Sequence, residues 1–85
     1  MAEIEVGIID SFFAKPVVAG IRVTGDIAVG DTLHIQGHTT DMTLTVESME
    51  VEPGKIEAAH AGDSIGIKVN DRVRPHDKVY KVSED

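Results

Sequence analysis

Apolar residues alternate with polar ones along most of this chain at the period of a half-buried β-strand. Ile4, Val6 and Ile8 alternate with Glu3, Glu5 and Gly7, which predicts a first strand with these three residues facing inward and Phe12 in phase with them. Val17, Ala19, Ile21 and Val23 predict a second strand after the Ala14-Lys15-Pro16 punctuation. Gly25-Asp26 and Gly30-Asp31 bracket a connector, Ile27-Ala28-Val29, and a third strand runs from Thr32 to Gln36. After the polar turn at residues 37–41, a fourth strand is predicted from Met42 to Glu52. Its apolar phase changes between Val46 and Met49, as a bulge near Ser48 would produce. Glu52-Pro53-Gly54-Lys55 turns the chain, and residues 56–60 read as a short strand or one helical turn. Strands over Ile65–Val69 and Lys78–Val82 complete six or seven. Short, regularly spaced strands predict an all-β domain, here a small closed antiparallel barrel of Greek-key type.

One local pattern recurs. Val29-Gly30-Asp31-Thr32-Leu33, Ala61-Gly62-Asp63-Ser64-Ile65 and, more loosely, Pro75-His76-Asp77-Lys78-Val79 each place a turn pair before an Asp, a variable residue and an apolar strand opener. Glycine accepts the positive φ of a tight turn, and the Asp is expected to bond the backbone two residues on.

Composition narrows the chemistry. Eighty-five residues make one domain, 1–85, and the absence of cysteine removes disulfides, thiolate zinc sites and cysteine catalysis together. The acidic, alternating N-terminus is unlike a signal peptide, and the longest apolar run, residues 17–21, is too short for a membrane span. A soluble, cytoplasmic protein is expected, and one Asn with one Gln fits a heat-adapted source. The net charge of −7 argues against general affinity for DNA or RNA. The charge is uneven, however. Residues 1–67 hold three basic side chains against eleven acidic ones, and residues 68–85 hold five against four. Lys68, Arg72, Arg74 and Lys78 therefore form a candidate partner or RNA face, possible only if they share one side of the fold. Phe13 and Lys15 join that candidate set, because an exposed aromatic beside a cation can stack a base or anchor a protein, whereas a covered Phe13 would merely cap one end of the barrel.

No catalytic, cofactor or metal site is expected. His34 and His38 have metal spacing only on a helix, and the surrounding pattern is strand and turn, with His34 a surface imidazole. Ser64 lies in Gly-Asp-Ser-Ile-Gly, which lacks the order of a nucleophile elbow.

Five segments in one order carry a resemblance: residues 7–9, 20–25, 29–35, 46–49 and 61–67. Their order and spacing, over about residues 5–82, resemble the second, β-barrel domain of the translational GTPases typified by elongation factor Tu. The stretch Ile67-Lys68-Val69-Asn70-Asp71-Arg72-Val73-Arg74-Pro75-His76-Asp77-Lys78-Val79 is similar to the C-terminal domain of U32 collagenase-like peptidases. Either resemblance implies a free-standing copy of a module otherwise attached to a catalytic domain. GTP binding is not implied: residues 20–26 have the glycine spacing of a phosphate loop but place Asp26 where a lysine must reach the phosphates. In the elongation factor's Gly-Glu-Asn-Val-Gly segment the Asn matches Ser64, and a following Arg matches Asn70, so aminoacyl-tRNA recognition does not carry over. The first resemblance implies a non-catalytic module contacting RNA, the ribosome or a translation-related protein. The second implies an accessory domain that docks on a separate enzyme chain without RNA, through an apolar and salt-tolerant contact.

Overall fold

The computed structural model describes residues 2–15, 17–51 and 54–83. Ten strands are present among the described residues: β1 (Ala2–Ala14), β2 (Val17–Val23), β3 (Ile27–Ala28), β4 (Thr32–Gln36), β5 (Asp41–Thr45), β6 (Met49–Val51), β7 (Gly54–Ile56), β8 (Ala58–Ala59), β9 (Ser64–Lys68) and β10 (Lys78–Ser83). Every regular element among the described residues is a strand, and every pairing is antiparallel. Eight strands form one sheet in the order β5-β4-β10-β1-β2-β9-β6-β7, while β3 pairs with β8 separately.

The all-β expectation holds, and the closed barrel of six or seven strands is corrected. The large sheet rolls up but does not close, leaving β5 and β7 as its edges. The rolling follows from chain length. In a flat sheet β5 and β6 would lie six strand spacings apart, about 29 Å. Only residues 46–48 join them, a reach of about 14 Å. The predicted bulge near Ser48 is therefore a crossover between two strands, and the phase change marks the switch from pairing with β4 to pairing with β9. The link is pinned at Val46, whose amide donates to the Asp31 carbonyl (2.9 Å) while its own carbonyl accepts from the Gly30 amide (2.9 Å). Residues 27–28, read as a connector, are β3, and residues 58–59 are its partner rather than a helical turn. Pro16, Glu52 and Pro53, invoked for two turns, lie outside the described residues.

Strand β1 departs from simple alternation. Register shifts between Glu5 and Gly7 against β10, and between Ile9 and Ser11 against β2, each move its inward phase by one residue. Beyond the first shift the inward row runs through Gly7 and Ile9, so Ile8, expected inside, turns to the outer face beside Lys78 and is only half-buried. Ile4 keeps the inner row with Lys81 and Leu33 but lies near the end of β1, where it is 63 % exposed. Phe12 does pack against the core. That core comprises Ala19, Ile21, Val23, Leu33, Ile35, Met49, Ile65, Ile67 and Val79, with neighbours from the same alternating rows.

The repeated turn pattern has one structural outcome. At Asp31, Asp63 and Asp77 the carboxylate accepts from the amide three residues earlier, at Ala28 (2.8 Å), His60 (2.9 Å) and Arg74 (2.9 Å). Each Asp amide donates back to the carbonyl of that same residue, at 3.0, 3.0 and 3.1 Å respectively. The bond thus runs three residues back rather than two residues on. The residue before each Asp has positive φ: Gly30 at 96°, Gly62 at 99° and His76 at 78°. Such a φ at the third position, with Pro75 at the second of the last copy, is the signature of a type II turn.

Candidate interaction groove

The predicted basic and aromatic face does not stay together. Phe13, Val18 and Lys68 are cross-strand partners in one row over β1, β2 and β9. Their inward neighbours are Ala19 and Ile67 of the core and Phe12, which packs against it, so Phe13, Val18 and Lys68 present their side chains on the outer face. Lys78 pairs instead with Ile8, five residues along β1 from Phe13, or about 17 Å away. There it forms a 3.6 Å ion pair with Glu5. Arg72 turns its guanidinium over the Phe12 ring, 5.8 Å from the centroid, and shields that half-buried aromatic. Arg74 contributes its backbone amide to the Asp77 turn.

Phe13, Lys15 and Lys68 do converge. They border an open groove of about 520 Å³ together with Val18, Lys55 and Gly66, while Ser48 and Glu50 complete its wall. Phe13 is 58 % exposed, so it does not cap the fold as a covered residue would. Lys55 was missed from sequence because it lies on the edge strand β7, forty residues from Lys15, and only the β9-β6-β7 pairing brings it alongside. Among the described residues Lys15, Lys55 and Lys68 have no ion pair, whereas Lys78 and Lys81 pair with Glu5 and Asp31.

His34 is not the bare surface imidazole expected. Its Nδ1 faces Glu3 (2.9 Å) and its Nε2 faces Asp41 (2.6 Å), with the side chain 17 % exposed and the Tyr80 ring 6.2 Å away. The two carboxylates sit on opposite ends of the ring, so they cannot share a metal with it, and among the described residues no three such side chains are placed to hold a metal ion together. The hydrogen bond to Glu3, then that to Asp41, raises the His34 pKa above its ordinary 6.5, against a smaller opposing effect of burial. A raised folded-state pKa stabilises the fold fully below about 6.5 and loses that contribution as pH climbs through the folded value. His34→Gln is therefore expected to be less stable than wild type at pH 5.5, by up to about 1 kcal/mol, with the gap narrowing by pH 9. Urea titrations of both proteins at the two pH values check this, and comparison with the variant cancels the exposed His60–Asp26 pair, which shifts in the same direction. A gap that widens with pH would refute it.

No family model matches the chain. It is 37 % identical over 83 residues to an uncharacterized protease of Methanocaldococcus jannaschii, covering 96 % of this chain and 20 % of that protein. A collagenase of Porphyromonas gingivalis is 35 % identical over 72 residues, covering 82 % of this chain and 20 % of the relative. The chain thus spans about a fifth of the length of the curated relatives it matches. No helix among the described residues is long and apolar enough to cross a membrane. Among solved structures, the C-terminal domain of a candidate U32 peptidase from Geobacillus thermoleovorans superimposes with a TM-score of 0.86 at 20 % identity, covering 92 % of this chain and 91 % of that one. Its selenomethionine variant gives 0.84 at 19 % identity, over 89 % and 96 % of the two chains. None of these proteins is a translation factor, and the accessory-domain expectation is the one they favour. The chain has the fold of a U32 peptidase C-terminal domain and is similar in sequence to a matching fifth of proteins named protease and collagenase.

Proposed function

We propose that this domain is a cytoplasmic, non-catalytic accessory module that docks on a U32-peptidase-like catalytic unit through the Phe13 groove. The observation that carries this reading is the extent of the match: nearly all of this chain aligns with only a fifth of a protease-named relative. The remaining four fifths of such a protein are where its chemistry would reside, and this domain supplies contact. Phe13 is the anchor. It is a large apolar residue more than half exposed, beside the aliphatic wall of Val18, and such aromatics dominate binding energy when a partner covers them.

The test is a calorimetric titration of this domain into the Methanocaldococcus jannaschii protease lacking its matching segment. A complex is expected that weakens in about 1 M salt yet stays measurable, because salt screens the lysines bordering the groove but not its apolar anchor. Phe13→Ala is expected to weaken it by about 2 kcal/mol, roughly 30-fold. Failure to form a complex at any salt concentration would sink the accessory reading.

A further inference from the structure

Gly66 holds a position for which the fold itself gives no reason to require glycine. Its φ is not in the left-handed region, where only Gly30, Gly62 and His76 lie. A Cβ added there would meet only the Val18 side chain, at 3.4 Å, and the Glu50 carbonyl, at 3.9 Å, both ordinary contacts. Its row partner Gly20 differs, since a Cβ there would run into the Ser11 hydroxyl. Glycine inside a strand loses side-chain packing and carries an entropic penalty, and one recognised use is to let a ligand or another backbone approach closely. The space over Gly66 opens into the groove, with Val18 and Phe13 across β2 and β1 on one side, Glu50 and Lys55 across β6 and β7 on the other, and Lys68 two residues along β9.

Charge identifies what would enter. The chain carries a net charge of −7, yet three lysines around this opening lack ion pairs among the described residues. We propose that the groove over Gly66 binds an extended acidic polypeptide segment, which lays an apolar side chain on Phe13 and Val18 and its carboxylates on Lys15, Lys55 and Lys68. Alternating apolar and acidic residues suit this geometry, because successive side chains of an extended segment point to opposite sides. Single-stranded nucleic acid needs a longer basic track and several stacking platforms. Here Phe13 is the one aromatic lining the groove, and Glu50 interrupts the cations. The inference takes a polypeptide partner from the accessory-module reading and adds the chemistry of the segment recognised.

Fluorescence anisotropy with a labelled peptide alternating glutamate and leucine tests it, beside the same peptide with lysine in place of glutamate and a labelled oligouridylate. The acidic peptide is expected to bind, and the basic one is not. Gly66→Leu, which fills the groove, and Lys68→Glu are each expected to weaken binding at least about tenfold, a difference of about 1.4 kcal/mol. Gly66→Ala provides the folding control, with a Tm equal to or above wild type. Oligouridylate binding more tightly than the acidic peptide would overturn the inference, as would no peptide binding or Gly66→Leu binding normally. The peptide assay needs no catalytic unit. Peptide binding without docking on the protease would therefore fail the accessory reading alone, and docking without peptide binding would fail this inference alone.

Discussion

Gly37→Ala is expected to destabilise the domain by about 3 kcal/mol and to lower its Tm by roughly 15 °C. A Cβ at Gly37 would fall on the Asp77 carboxylate, which is 5 % exposed and held by the Arg74 amide. Displacing it would release the Arg74 amide from Oδ2 and disturb a turn bonded to β1 on both sides. The Ile9 amide donates to the Asp77 carbonyl at 2.8 Å, and the His76 amide donates to the Ile9 carbonyl at 2.8 Å. The decisive measurement is a double-mutant cycle by urea denaturation. Asp77→Ala alone is expected to cost about 2 kcal/mol, and Gly37→Ala in that background less than about 1, because the obstacle has gone. Equal effects of Gly37→Ala in both backgrounds would show that the carboxylate is not what requires glycine there.

Met49→Ala is expected to cost about 3 kcal/mol, against about 1 for Met42→Ala. Met49 is fully buried and pairs with both Ile56 of β7 and Ile67 of β9, so its loss opens a cavity where the crossover rejoins the sheet. Met42 lies half-buried on the edge strand β5 and only packs against the core. In one continuous strand over 42–52 the two methionines would be similar core positions, and equal losses on denaturation would favour that arrangement over the crossover.

Much of the architecture was legible because strand alternation is local. The rows at residues 17–23, 32–36 and 64–68 read correctly, and so did the launching turns, whose Asp needs only its own neighbours to bond. Errors arose where a strand changes partners. Ile8 belongs to the Ile4 phase on paper, but an extra residue near Val6 turns Ile8 to the outer face while Ile4 stays in the Leu33 row. Likewise, Val46 to Met49 is compatible with either a bulge or a crossover, and no residue inside the segment distinguishes them.

The interaction groove divides in the same way. Phe13 and Lys15 were singled out together because they are near neighbours in sequence, and Lys68 because it begins the basic tail. Arg72, Arg74 and Lys78 share that tail but not the surface: one covers Phe12, one lends its amide to a turn, and one pairs with Glu5. Lys55 and Gly66 entered the groove only through strand order. By itself the sequence determined the all-β class, the turns before Asp31, Asp63 and Asp77, most of the apolar core rows and the lack of cysteine chemistry, all of which depend on residue type and short-range periodicity. The tertiary structure alone decided which outer faces adjoin, since a rolled sheet places residues forty positions apart side by side through backbone pairing that side-chain pattern does not encode.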